Sequence, residues 1–277
     1  MDTFTQKTWF ITGTSKGLGL DLTKLLLSQG HKVIATSRDT SILAEELAEF
    51  KETLLPIKLD ITSDRAVKNA IEYAIEKFGQ IDVLVNNAGY CLVGSMEEMT
   101  DEEFRDTLNV NLFGTVNTIR NVMPYMRKQE SGHVINISSV SGYTGNAKAA
   151  SYNAAKFGVI GLTEGFAKEV EAFGIKATVV APGQFRTAFM DSLQYVKNRI
   201  GVYGIDEAEK LWSSMSGKQN GDPQKLAKVI VKIAEMEQPP LHLVVGTDVY
   251  EPVRVKRKAE LDEMKTWASL SLSTDFD

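Results

Sequence analysis

The chain alternates short apolar runs with stretches of helical period, and that alternation leaves few folds open to it. "KTWFIT", "KVIAT", "LLPIKLD", "IDVLVNN", "HVINIS", "IKATVVA" and "LHLVVG" read as strands that are apolar at most positions. Strands of that composition are covered on both faces, as in a parallel sheet. Between them lie "LGLDLTKLLLSQ", closed by Gly30, then "SILAEELAEF", then "DRAVKNAIEYAIEKF", stopped at Gly79. A long helical region follows from Asp101 to Lys128, and another in "YNAAKFGVIGLTEGFAKEVEAF". Strands separated by helices imply βαβ units. The expectation is one α/β domain over residues 1–277, a Rossmann-type doubly wound parallel sheet of about seven strands flanked by helices.

Composition narrows the function classes. With 43% hydrophobic and 24% charged residues in 277, the chain can bury a substantial core. A net charge of −5 argues against a broad nucleic-acid surface. The basic run "RVKRK" (Arg254 to Lys258) leads into "AELDEMK" and reads as the solvated face of a helix. No apolar run reaches the ~18 residues of a membrane helix. "KTWFIT" runs straight into a glycine turn, so no signal peptide is expected. The single cysteine, Cys91, excludes an internal disulfide and fits a reducing compartment, so a cytoplasmic location is expected. His31, His133 and His242 are scattered without metal-ligand spacing, and no metal is expected.

The turn "ITGTSKGLGLDL" (Ile11 to Leu22) admits three readings. A phosphate-binding P-loop needs Lys after its last glycine, but Leu18 follows Gly17. A serine-hydrolase elbow at Ser15 would stand after the first strand rather than after several, with His133 and His242 as its downstream histidines. In the third reading, Gly13 and Gly17 let the backbone approach a pyrophosphate. Gly19 lets the next helix pack close, and that helix's N-terminus attracts the anion.

The spacing "TGTSKGLG" resembles the fingerprint of the short-chain dehydrogenase/reductase family, and further matches follow in the family's order. These are Asp60 at the end of the third strand, "NNAG" (Asn86 to Gly89) after the fourth, and "PGQFRT" (Pro182 to Thr187). By that resemblance the dinucleotide would be held by Gly13, Ser15, Lys16, Gly17, Leu18 and Gly19 in the turn. Ser37 and Arg38, Asp60 and Ile61, and Asn87, Ala88 and Gly89 would join them. Pro182, Gly183, Phe185 and Thr187 would stand on the nicotinamide side.

Two Y-x-x-x-K pairs occur, and each puts its two side chains on one helix face. Tyr73 and Lys77 fall off the apolar stripe of Val67, Ile71, Ala74, Ile75 and Phe78 and read as solvated. Tyr152 and Lys156 follow Ser139, just past the carboxyl end of "HVINIS", where open parallel sheets place their ligands. Ser139, Tyr152 and Lys156 match the family's catalytic positions, and Asn111 in "NVNLFG" matches its fourth. The resemblance implies that Ser139 and Tyr152 bind the carbonyl oxygen and Tyr152 acts as general acid. Lys156 would also bind the nicotinamide ribose, and Asn111 would hold a proton-relay water. The Lys156 ammonium and an oxidised nicotinamide are expected to lower the tyrosine's pKa from about 10.

The second strand ends "IATSRD", placing Ser37 where an acid would select NAD. With Arg38 next and Lys16 in the turn, NADP(H) is favoured. NAD(H) is the alternative if the strand runs on to Asp39. The insertion over about residues 187–222 carries Phe189, Met190, Leu193, Tyr195, Trp212 and Met215. In the family it closes over the substrate, while surface helices packed on the core would read the same way. Tyr90, Leu92 and Tyr143 are expected to line the other side. The implied function is interconversion of a hydrophobic ketone or aldehyde with its alcohol. The alternatives are a dinucleotide sensor without turnover and the hydrolase using Ser15. The segments "KFGVIGLTEGFAKEV", "PGQFRTAFM" and "SLSTDFD" look most like hydroxysteroid- and retinol-type reductases and bacterial ketoreductases. A tail helix over about 248–270 would cover the pocket mouth or build a subunit contact. A homodimer or homotetramer through the two long central helices is the family's common assembly.

Overall fold

The computed structural model describes residues 5–276. The strands are β1 (Thr8–Thr12), β2 (Lys32–Ser37), β3 (Leu54–Lys58), β4 (Val83–Asn86), β5 (Leu92–Val93), β6 (Gly132–Ile137), β7 (Ile175–Pro182), β8 (Gln194–Tyr195) and β9 (His242–Val245). The helices are α1 (Gly17–Ser28), α2 (Ser41–Glu46), α3 (Asp64–Phe78), α4 (Asp101–Leu108), α5 (Gly114–Gln129), α6 (Ala150–Val170), α7 (Ile205–Met215), α8 (Pro223–Glu235), α9 (Thr247–Thr266) and α10 (Ala268–Ser271).

Seven strands form one sheet in the order β3-β2-β1-β4-β6-β7-β9. Every pairing in it is parallel. At least one helix lies between consecutive strands of this sheet, so each crossover returns the chain to the same end of it. The order reverses between β1 and β4, which opens a crevice at their carboxyl ends. β1 shows why both faces are covered. Trp9 and Ile11 join the core beneath α1 and α8 with Leu22, Leu26 and Ile230, while Phe10 joins the core beneath α3 and α5 with Ile71 and Val122. Both sets are fully buried, and burying one such side chain contributes about 1.5–3 kcal/mol.

The differences from the sequence expectations are local. The second helix stops at Glu46, and a 3-10 turn carries Ala48–Phe50. There Leu43 and Leu47 both point into the core, so the chain turns to keep them buried. The helical region from Asp101 is α4 and α5 joined by a π-helical turn, Asn109–Phe113. Such turns recur at functional sites, and this one carries Asn111. The tail helix starts at Thr247, close to the expected bound, and breaks at Trp267 before α10. It roots on the sheet edge, where Val253 packs with Tyr143 and Val159. In "RVKRK", Arg254 and Lys256 pair with Glu251 and Glu260 in solvent, while Arg257 lies over the Tyr143 ring. Tyr73 is 42% exposed, with Lys77 stacked on its ring. No helix among the described residues is long and apolar enough to cross a membrane.

Candidate active site

The glycine turn after β1 and the "NNAG" segment after β4 are tied together. Thr12 Oγ1 accepts from the N–H groups of Asn87 and Ala88, both at 3.0 Å. Asn87 Nδ2 donates to the carbonyls of Thr12 and Gly13 at 3.0 Å each. Gly13 and Gly17 have φ of +73° and +58°, a region that costs other residues strain. A Cβ on Gly13 would stand 2.8 Å from Ala88 Cα, and one on Gly19 would stand 2.2 Å from the Gly13 carbonyl oxygen. Glycine is therefore required at both positions by close backbone approach.

The helix that follows is left open to an anion. α1, like α2, α5 and α6, has no side-chain cap and no acid in its first turn. The first N–H groups of a helix have no partner within it, and here no side chain caps them at the glycine turn. This cradle fits a dinucleotide pyrophosphate. Across from it, Gly17 lies against Thr187, where a Cβ would meet Thr187 Cβ at 3.5 Å. The loop from Pro182 is steadied by Gly183 N–H donating to Val245 O at 2.8 Å and Gln184 N–H donating to Asp248 Oδ2 at 2.8 Å.

β2 ends at Ser37, and Arg38 is exposed beyond it. Asp39 turns away to accept from Ser41 N–H at 3.0 Å, and that bond, with the Ser41 hydroxyl, holds its carboxyl below the usual range. Asp60 caps its own turn, accepting from Thr62 N–H at 3.0 Å and Thr62 Oγ1 at 2.8 Å. Ile61 packs against Gly114, leaving no room there for a side chain.

Asn111 from the π-helical turn, Ser139 from the end of β6, and Tyr152 and Lys156 from α6 come to one neighbourhood. Lys156 Nζ donates to the Ile137 carbonyl at 2.9 Å and lies 5.6 Å from the Tyr152 ring centroid. Asn111 is clamped on backbone: its Oδ1 accepts from Tyr90 N–H at 3.2 Å, and its Nδ2 donates to Tyr90 O and Thr107 O at 2.9 Å each. Between them lies Gly89, where a Cβ would stand 2.4 Å from Asn111 Oδ1 and 3.5 Å from Lys156 Nζ. Ser139 follows β6 in extended conformation and accepts from Ser141 N–H at 3.1 Å.

Burial dominates the electrostatics. It raises the Tyr152 pKa above that of a free phenol, the Cys91 sulfur adds to the effect, and the hydrogen bond with Ser139 opposes it. The expected lowering by Lys156 is thus corrected for the protein alone, because the phenol is 7% exposed and desolvation outweighs its neighbours. Burial also pushes Lys156 down to about 8 and the Cys91 thiol up to about 12. A neutral, hydrogen-bonded phenol is suited to donate a proton.

Strand alternation divides the residues that follow "NNAG" between two clusters. Cys91 and Val93 pack with Ala149, Tyr152, Leu193, Tyr195 and Trp212, whereas Leu92 points the other way into a cluster with Tyr90, Val196, Ile205 and Tyr203. A period of two puts neighbours on opposite sides, so Cys91 and Val93 face the tyrosine where Leu92 was expected. Tyr143 also turns away: its hydroxyl meets His242 Nδ1 at 2.7 Å, drawn to the sheet edge by Val159, Val179 and Val253. The Phe189 ring centroid lies 6.1 Å from that of Tyr152. Met190 opens a 3-10 turn, Met190–Ser192, beside it. β8 pairs with β5 in a small parallel sheet that had no signal in its sequence beyond two apolar neighbours.

The histidines needed for a hydrolase at Ser15 are engaged elsewhere, His133 with Thr178 and His242 with Tyr143. Among the described residues, no three His, Cys, Asp or Glu side chains gather as a metal site.

Known proteins share this architecture. A family model described as short chain dehydrogenase matches residues 7–197. Oxidoreductase BOA17 of Botryotinia fuckeliana is 37% identical over 272 residues, covering 97% of this chain and 99% of that protein. The 3-ketodihydrosphingosine reductase of Bacteroides thetaiotaomicron is 37% identical over 241 residues, covering 85% of this chain and 86% of its own. The crystal structure of a short-chain dehydrogenase from Streptomyces avermitilis superposes with a TM-score of 0.91 at 33% identity, covering 98% of this chain and 100% of that one. The chain therefore belongs to the short-chain dehydrogenase/reductase family of nicotinamide-dependent oxidoreductases.

Proposed function

We propose that the protein reduces a hydrophobic ketone or aldehyde to its alcohol, or runs the reverse, with NADP(H). The observation that carries this is the convergence of the Tyr152 phenol and the Lys156 amine beside Gly89 and Asn111. When bound, the nicotinamide cofactor supplies or accepts the hydride.

The chain's own residues do the rest. As a carbonyl is reduced, negative charge grows on its oxygen, and the Tyr152 and Ser139 hydroxyls stabilise it by donating hydrogen bonds. Tyr152 then gives up its proton as general acid. Lys156 holds a positive charge near the phenol, favouring the phenolate that proton transfer leaves behind. Asn111 fixes the Gly89–Tyr90 turn against the site and holds a water for proton relay.

In this account residues 5–180 carry the cofactor, 187–222 cover the substrate, and the C-terminal helix lies outside both. Ser37 at the strand end, exposed Arg38 and Lys16 favour a 2′-phosphate, since arginine grips phosphate in bidentate fashion. The side chains around Tyr152 on the substrate side, namely Cys91, Val93, Leu193, Tyr195 and Trp212, carry no charge. They favour an apolar substrate, and the likeness to a 3-ketodihydrosphingosine reductase supports the same class. We place the protein in the cytoplasm, working as a homodimer or homotetramer. Cofactor absorbance with a panel of ketones and alcohols, using NADPH and NADH, tests the proposal. Turnover of apolar carbonyls faster with NADPH is expected, and no turnover of any carbonyl or alcohol would refute it.

A further inference from the structure

The segment covering Tyr152 is fixed at its root by carboxylates from the loop and helix after β5. Glu98 is 1% exposed. Its Oε1 accepts from Ile200 N–H at 2.7 Å and its Oε2 from Ser95 N–H at 3.0 Å. Its own N–H donates to Ser95 Oγ at 3.4 Å. Around it, Glu103 Oε1 accepts from Lys197 N–H at 3.2 Å, Glu97 accepts from the Tyr203 hydroxyl, and Lys148 Nζ donates to Gly204 O at 3.0 Å. Gly94 admits Val196, which a Cβ there would strike at 2.1 Å.

Apart from the two bonds between Glu98 and Ser95, these contacts hold residues 196–204. From that root extend Leu193 and Tyr195 on one side and α7 with Trp212 on the other, and all three pack around Tyr152 and Cys91. The far end has its own ties: exposed Lys16 Nζ donates to Ser192 Oγ at 2.5 Å, Ser216 Oγ to Asp191 Oδ1 at 2.6 Å, and the Arg186 guanidinium to Gln219 O at 3.0 and 3.2 Å. A buried carboxylate is costly unless hydrogen-bonded. Burial raises the Glu98 pKa, but the bonds from Ile200 and Ser95 outweigh it and hold the group below the usual range. The carboxylate is thus ionised at neutral pH, and its bonds are of the stronger, charge-assisted kind.

We infer that Glu98 is a positioning residue for the substrate: by pinning Ile200 it sets the register of β8, and with it where Leu193, Tyr195 and Trp212 stand over Tyr152. The inference rests on the proposal that residues 187–222 cover the substrate.

The test uses the full chain with Glu98→Gln, which keeps one acceptor, and Glu98→Ala, which keeps none. Hydrogen exchange is followed over residues 193–205 and over β1, β4 and β6. KM and kcat are measured for a small methyl ketone and for a long-chain or aromatic ketone. In Glu98→Ala, exchange over 193–205 is expected to rise about 10-fold and KM for the bulky ketone about 10-fold. The small ketone, NADPH affinity, kcat and core exchange should stay within about 2-fold, with Glu98→Gln intermediate. Unchanged exchange over 193–205 overturns the inference. So does looser exchange with an unchanged KM for the bulky ketone, and so does a uniform rise in every KM with loss of core protection. If the wild-type chain turns over no carbonyl, the proposed function fails, and the exchange arm still decides whether Glu98 anchors the segment.

Discussion

Lys156 Nζ stands 5.6 Å from the centroid of the Tyr152 ring and donates to the Ile137 carbonyl, both side chains buried at the carboxyl end of β6. Burial brings the lysine down to about 8 from 10.5. Between those values the unfolded chain binds the extra proton, so stability from this group rises as pH climbs through the window. The gain over that window is roughly 3 kcal/mol. Urea unfolding of wild type and Lys156→Met at pH 7.5 and 10.5 checks it. The wild type should gain on the variant at the higher pH, and a constant difference would contradict the burial of a titrating lysine.

His133 gives the opposite limb. Burial lowers it to about 3, with Lys176 and Lys7 adding to the effect, and its Nε2 meets Thr178 Oγ1 at 2.9 Å. The folded state keeps this histidine neutral while the unfolded state protonates near 6.5. Stability should therefore fall as pH drops below 6.5, by about 1.4 kcal/mol per unit until pH 3 is approached. His133→Gln should flatten that slope in acid denaturation, whatever its effect at neutral pH.

Two glycines should respond in opposite directions. Gly19→Ala puts a methyl 2.2 Å from the Gly13 carbonyl and should destabilise by about 2 kcal/mol or more. Gly165→Ala, in the middle of α6 with nothing within 4 Å, should stabilise by about 0.5–1 kcal/mol. Thermal or urea unfolding of the pair decides both.

Cofactor choice should follow the end of β2. Ser37→Asp places a carboxylate against a 2′-phosphate and should cut the ratio of kcat/KM for NADPH over NADH by about 10-fold or more, equivalent to about 1.4 kcal/mol. An unchanged ratio would remove Ser37 from cofactor discrimination.

The alternation of "KTWFIT" and its successors with helical stretches was enough to read the parallel sheet, because covered strands must be apolar on both faces. Ser37 was legible as the end of β2, since polar residues stop the apolar run there. The substrate wall was less legible. β5 is two residues long, too short to show its period, so Leu92 was expected on the face that Cys91 and Val93 occupy. Tyr143 follows Ser139 closely in sequence, yet its partner His242 is 99 residues away. The same distance problem hid Glu98, whose bond to Ile200 spans 102 residues. No local pattern records a contact of that kind.

In the proposed reaction the Tyr152 hydroxyl is the proton donor to the reduced carbonyl. Tyr152→Phe keeps the ring that packs against Phe189 and removes that one oxygen. Turnover and NADPH affinity should be measured on the same preparation. kcat is expected to fall by about 100-fold or more while NADPH binding stays within about 2-fold. A variant turning over at near the wild-type rate would contradict it.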